Sequence, residues 1–154
     1  MDFIDISTYI TSDTHRLIAS AALGALIGLE RELAGKDPSL RTFSLICMGS
    51  CLFSMISAST AFGVPNADPG RIAAQLVTGI GFLGAGAIFK SGGGVSGLTT
   101  AALIWMTAAV GMAIGLHRSD VAISGTFIAL LTVILLNLVH RTIRKLRPQF
   151  YDKP

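Results

Sequence analysis

Long apolar blocks alternate with short polar connections along this chain, and the charges are confined to the connections. No charged residue lies between Arg41 and Asp68, between Arg71 and Lys90, or between Lys90 and His117. Uncharged, apolar-rich runs of about 18 residues or more are long enough to cross a bilayer as helices. The blocks predict five transmembrane spans, at about 14–30, 42–62, 72–89, 98–116 and 121–139. The first is short: only residues 17–29 are free of charge, about 20 Å of helix against a core of roughly 30 Å. Arg16 and Glu30 must then help to span, Arg16 by running its aliphatic stem outward. The expected fold is an all-α, polytopic membrane protein. Residues 1–13 form an outer or interfacial segment, 14–140 the five-helix domain and 141–154 a basic tail.

Within the blocks, small residues recur at helical spacing. Ser20, Gly24 and Gly28 follow one another every four residues in the first span. Ser44, Cys47, Cys51, Ser54 and Ala58 make one stripe on the second. Lipid supplies no hydrophobic drive between helices, so close packing of small residues does much of the work of association. Both stripes are expected to be seams between helices rather than a pore lining.

The third block contains "GIGFLG", residues 79–84, which fits the glycine spacing of a dinucleotide-binding turn. Such a turn needs a preceding strand and an acid about 20 residues downstream. Here the glycines sit in mid-span, and no Asp or Glu follows until Asp120. The nucleotide reading fails. What remains is a glycine-rich third helix with Gly79, Gly81, Gly84 and Gly86 on more than one face, each costing about 1 kcal/mol of helix propensity relative to alanine. Two compensations are open. The helix is central and packed at backbone distance by several neighbours, or it is locally broken and its free carbonyls line an ion site.

The helix starts carry their own chemistry. Asp37-Pro38 precedes the second span and Asp68-Pro69 the third, the expected pattern of an N-cap acid with proline in the first turn, and Ser119-Asp120 starts the fifth similarly. Ser96 is placed to cap the fourth. Arg41 and Arg71 fall in first turns, where positive charge opposes the helix dipole and calls for a carboxylate or phosphate partner.

Composition sharpens the picture. Of 154 residues, 51% are hydrophobic and 14% charged, well below the roughly 25% charge of a soluble domain. Mean hydropathy is +0.66. Nine basic residues (Arg31, Lys36, Arg41, Lys90, Arg141, Arg144, Lys145, Arg147, Lys153) fall on one side of the five-span arrangement. Three (Arg16, Arg71, Arg118) fall on the other. The positive-inside rule then places the N-terminus outside and the C-terminus inside. The N-terminal residues are acidic where a secretion signal is basic, and the apolar positions among residues 3–10 suggest a segment resting at the interface. The net charge of +3 and the tail RTIRKLR suit anionic lipid rather than nucleic acid. Two cysteines one turn apart on one helix are expected to be reduced packing residues.

Polar groups at membrane depth are the candidate functional residues. On the inner side, Glu30 is expected to meet Arg41 or Lys90, with Thr42 beside them. On the outer side Asp68 and Arg71 are neighbours, with Gln75 one turn deeper. The connection KSGGGVSGLTT reads as a flexible turn, whose amides, with Thr99, Thr100 and Lys90, are able to hold an anion. Trp105 is expected to face the bundle. His117 and His140 have no metal-ligand company in sequence, and the metal is left open. No nucleophile–base pair stands out, so neither enzyme activity nor a cofactor is expected.

The strings "GALIGLERE" (24–32), "LRT" (40–42), "DPGRIAAQLVTGIGFLGAGAIF" (68–89) and "GLTTAALIW" (97–105) resemble the MgtC/SapB family of bacterial membrane proteins. The resemblance covers residues 17–116 and implies a hydrophobic domain of about five helices in the inner membrane. It also implies a link to growth under magnesium limitation, acid or envelope stress, and to survival within hosts. The family's polar signature falls on Glu30, Arg31, Glu32, Arg41, Thr42, Asp68, Arg71, Gln75, Thr99 and Thr100. Its glycine motif falls on Gly79, Gly81, Gly84 and Gly86. Ser39 stands where the pattern leads one to expect glycine, and these 154 residues correspond to the hydrophobic domain alone, without the C-terminal regulatory domain of longer members.

Members are often labelled magnesium transporters, and are thought to bind membrane partners such as ATP synthase. Mg²⁺ takes oxygen ligands, commonly from carboxylates, and this chain has few acids at membrane depth. The leading expectation is therefore a non-enzymatic protein of ion and energy homeostasis that works through membrane-protein contacts, as a homodimer. A cation channel or secondary carrier is the alternative.

Overall fold

The computed structural model describes residues 3–68, 70–91 and 94–146. The apolar side chains expected at the interface in residues 3–10, Pro69, and the tail beyond Leu146 lie outside the described residues. Five helices make up nearly all of the rest: α1 (Phe3–Leu33), α2 (Leu40–Ala61), α3 (Arg71–Gly86), α4 (Leu98–Gly115) and α5 (Ser119–Leu146). One continuous helix, α1, thus covers both the N-terminal segment and the first expected span. The glycine-rich connection before α4 is not a simple turn. It forms an antiparallel hairpin, β1 (Phe89–Ser91) and β2 (Gly94–Ser96), with Lys90 opposite Val95.

Among the described residues, three helices are long and apolar enough to cross a membrane: α2, α4 and α5. At 1.5 Å per residue, the 16 residues of α3 make about 24 Å.

The order of contacts shows how the helices run. Gly24 packs on Phe43 and Cys47, and Gly28 on Leu40, so α1 and α2 are antiparallel. Gly111 packs on Cys47 and Gly115 on Cys51, so α2 and α4 are parallel. Gly84 faces Ala101 and Gly97 faces Ala87, which makes α3 antiparallel to α4. Gly125 meets Met106 near the start of α5, while Asn137 and His140 share a cleft with Thr99 and Thr100, so α5 is antiparallel to α4 as well. The chain reverses at every connection.

α2 and α4 are the centre of this bundle. The most extensive contacts are those of α1 with α2 and of α2 with α4, whereas α3 touches α2 only sparsely. The expectation of a central third helix is corrected here. A Cβ added at Gly79, Gly81 or Gly86 would meet nothing within 4 Å, and only Gly84 has a neighbour, Ala101, at ordinary contact distance. The glycines that allow close approach are elsewhere. A Cβ at Gly24 would fall 2.5 Å from the Phe43 carbonyl oxygen, one at Gly28 2.7 Å from Leu40 Cα and one at Gly115 2.5 Å from the Cys51 carbonyl oxygen. At Gly111 it would collide with the carbonyl oxygen of Cys47. Both small-residue stripes of α1 and α2 are helix seams, as their spacing implied: Ser20, Cys47, Cys51 and Ser54 are fully buried.

The core is unusually polar. Ser20, Ser50, Ser54, Ser57, Thr100, Thr107 and Thr126 are buried beside Ile27, Phe43, Leu103, Ile104 and Ile114. Many of these hydroxyls bond to carbonyls on their own helix: Ser54 to Ser50 at 2.8 Å, Thr107 to Leu103 at 2.7 Å and Thr126 to Ala122 at 2.8 Å. Large apolar side chains instead cover the outside, Phe127, Leu131, Leu135 and Leu138 on α5 among them. Trp105 also turns outward, 54% exposed, rather than into the bundle. Small polar inside and large apolar outside is the arrangement that suits lipid as solvent.

Candidate functional site

Two polar ends bracket the bundle. The end expected to be the inner one, where α1 finishes and α2 and α4 begin, holds an ion pair at the close of α1. Arg31 donates from Nε and Nη2 to the two carboxylate oxygens of Glu30. The Arg31 side chain is 5% exposed and that of Glu30 12%, so both charges are largely removed from solvent and neutralise each other. Glu30 therefore meets the adjacent arginine, and not Arg41 or Lys90 as expected. Those two point outward, as do Glu32, Thr42 and Thr99. Of the signature residues at this end, Arg31 and Thr100 are the buried ones.

The geometry of the α4 start brings Thr100 there. The N-cap is Gly97, not Ser96, with φ +87° in the left-handed region that favours glycine. A Cβ at Gly97 would strike the Ala87 carbonyl oxygen, so α4 starts hard against the end of α3. Ser96 instead reaches across the hairpin toward the Phe89 carbonyl at 3.5 Å. The other helix starts also differ from expectation. α2 takes Ser39 as N-cap, in place of Asp37, and makes no side-chain cap bond. α3 takes Gly70, whose amide donates to Asp68 Oδ1 at 2.8 Å. α5 has Ser119 as its first helical residue, and the carbonyl ahead of it, that of Arg118, accepts from the Ala122 amide at 3.0 Å.

At the opposite end, expected to be the outer one, Asp68, Arg71 and Gln75 are all exposed, and Arg41 and Arg71 make no ion pair among the described residues. The partly buried cation here is Arg16, which sequence reasoning had sent outward along its stem. Its Nη1 donates to the Gly115 carbonyl at 3.0 Å and lies 3.0 Å from His117 Nε2, and its Nη2 bonds Asp13. A guanidinium on the last carbonyls of α4 satisfies groups the helix leaves open and opposes the negative end of its dipole. Arg118 and Asp120 form an exposed pair at 3.2 Å. The hydrogen bond to Asp120 pushes the Arg118 pKa up from its ordinary value. Gly111 and Gly115 were also missed, although "GMAIG" carries the same small-xxx-small signal as "GALIG".

Among the described residues, no three His, Cys, Asp or Glu side chains lie close enough together to hold a metal ion. Two concavities accompany the polar ends. An apolar groove of about 630 Å³ runs between α2 and α3, lined by Leu45, Gly49, Phe53, Leu83 and Gly86. Ser50 also lines it, with a buried hydroxyl that has no hydrogen-bond partner among the described residues. A polar cleft of about 800 Å³ opens at the inner end, between the close of α1, the hairpin, the start of α4 and the last turns of α5.

The chain is 43% identical over 141 residues to the Escherichia coli K12 protein named "Putative magnesium transporter YhiD", covering 88% of this chain and 64% of that protein. It is 44% identical over 130 residues to Protein MgtC of Salmonella typhimurium LT2, covering 84% of this chain and 54% of that one. An uncharacterized protein of Haemophilus influenzae is 37% identical over 137 residues. The chain thus spans between about half and two thirds of these relatives. No solved structure matches it. The sequence profile of the MgtC family matches residues 17–142, and the chain belongs to that family.

Proposed function

We propose that this chain is a five-span inner-membrane protein of magnesium homeostasis and stress adaptation, and that it acts by docking other membrane proteins rather than by conducting an ion. The link to magnesium comes from the name of the Escherichia coli relative and from the family resemblance. The alternating helix directions and the nine-to-three division of basic residues favour an N-out, C-in arrangement.

One observation carries the docking reading: three of the four glycines in the α3 motif meet nothing within 4 Å among the described residues. Each costs about 1 kcal/mol of helix propensity, and a lipid tail offers nothing in return that leucine would not obtain. A second helix approaching at backbone distance does. The groove beside α3, with its unpartnered Ser50 hydroxyl, gives such a helix a seat. The occupant is a membrane partner, of which ATP synthase is the one the resemblance implies, or a second copy of the chain.

The relative's name favours a second reading, a magnesium channel or carrier. Against it, the partly buried acid at the inner end, Glu30, is already neutralised by Arg31, and Mg²⁺ needs several oxygen ligands. Two measurements separate the readings. Liposomes holding the purified protein are expected to take up Mg²⁺ no faster than empty ones. Uptake that is abolished by Glu30→Gln establishes the channel instead. In membranes, a Gly79→Leu/Gly81→Leu variant is expected to keep its melting temperature and lose the proteins that co-purify with the wild type. Unchanged co-purification sinks the docking reading.

A further inference from the structure

The polar cleft at the inner end plays no part in docking on α3, and its chemistry points to a ligand of its own. Its wall carries Arg31, Lys36, Arg141 and Arg144 against one acid, Asp37. The deepest cation is Arg31. With Nε and Nη2 engaged by Glu30, its Nη1 has no hydrogen-bond partner among the described residues. Thr100 is 4% exposed on the same wall, and its hydroxyl also makes no hydrogen bond among the described residues. Thr107 and Thr126, which are fully buried, both bond back to their own helix. The buried side-chain atoms without a partner among the described residues are Arg16 Nε and Ser50 Oγ, so the unbonded Thr100 hydroxyl is open to the cleft rather than sealed in the core.

The backbone adds to this. The first closed turn of α4 is the bond from the Ala101 amide to the Gly97 carbonyl at 2.9 Å, and no side chain caps the start of the helix. The amides ahead of Ala101 therefore face the same space without intrahelical acceptors, at the positive end of the helix dipole. Guanidinium forks, a hydroxyl and free amides converge on one concavity with an excess of positive charge. Phosphate oxygens satisfy all three kinds of donor at once.

We propose that this cleft is a binding site for a phosphate group, presented by an anionic phospholipid headgroup or by soluble phosphate. Arg31 Nη1 and Thr100 hold it at depth, and Arg141 and Arg144 close on it from α5. The site stands whether or not α3 carries a partner.

Purified full-length protein in zwitterionic detergent tests it by thermal melting with three additions: inorganic phosphate, dioleoylphosphatidylglycerol and dioleoylphosphatidylcholine. Phosphate or phosphatidylglycerol is expected to raise the melting temperature, and phosphatidylcholine is not. A response to phosphate identifies a soluble ligand, and a response to phosphatidylglycerol alone identifies a headgroup. Thr100→Val and Arg144→Gln are each expected to weaken the responding probe about tenfold, the effect of one charged or buried hydrogen bond. Thr100→Ser and Arg118→Gln are expected to leave it intact. The proposal is overturned if neither phosphate probe acts, if phosphatidylcholine acts equally, or if Thr100→Val and Arg144→Gln respond as the wild type does. It is overturned equally if Arg118→Gln loses the response, since that is a general effect of charge.

Discussion

Among the arginines of the inner end, Arg31 is set apart by its acid neighbour and its burial. Removing one partner of a buried pair strands the other charge, at a cost of about 3 kcal/mol. Arg31→Ala is therefore expected to melt well below the wild type in detergent. Arg41→Ala, an exposed change, is expected to stay within about 0.5 kcal/mol, as is Arg118→Ala, whose pair with Asp120 is exposed. Equal melting temperatures for Arg31→Ala and Arg41→Ala would contradict this. Sequence made Arg41 the more suspicious residue because its first-turn position opposes the dipole. It could not reveal that the guanidinium reaches solvent, nor that Glu30 would pair with the next residue along the helix. Such choices depend on side-chain directions that spacing does not encode.

Among the elements, α1 and α2 were legible and α3 was not, although all three are marked by small residues. A single stripe, such as Ser20, Gly24 and Gly28, points one way, and the only question is which neighbour fills it. The α3 glycines point several ways, so their number says nothing about which face is covered. The α4 pair Gly111 and Gly115 was readable by the same spacing, but the uninterrupted hydrophobicity around it gave no polar contrast to draw the eye. The two classes of glycine predict opposite effects of adding one methyl group. Gly111→Ala forces a Cβ onto the Cys47 carbonyl oxygen, backbone that cannot give way without moving α2, and is expected to cost about 2 kcal/mol. Gly81→Ala meets open space and is expected to stabilise the isolated protein by up to about 1 kcal/mol. Guanidinium or heat unfolding followed by circular dichroism reads both, and a loss at Gly81 would show that α3 is not free on that side. The start of α4 offers a third case. Gly97→Ala combines a left-handed φ with a collision against Ala87, so it is expected to cost at least about 1–3 kcal/mol.

For the whole molecule, the apolar blocks anticipated five helices, but length and composition qualify only α2, α4 and α5 as spans. The others depend on company. α1, with its polar N-terminal half, and the 16 residues of α3 are poor spans alone, yet α1 packs on α2 and α3 on α4. If all five cross, the α2–α3 connection at Val64 and the α4–α5 connection at Ser119 lie outside, and Lys36 and Lys90 lie inside. The native thiols do not obscure a test, because Cys47 and Cys51 are fully buried. Single cysteines at Val64, Ser119, Lys36 and Lys90, treated in intact cells with a membrane-impermeant maleimide, are expected to label at the first two positions only. The last two are expected to label after the membrane is opened. The decisive comparison is Val64 with Lys90, which flank α3. Labelling of both from one side would make α3 a re-entrant or interfacial helix, its uncovered glycines would then face headgroups or water, and the case for a partner helix docking there would go with it.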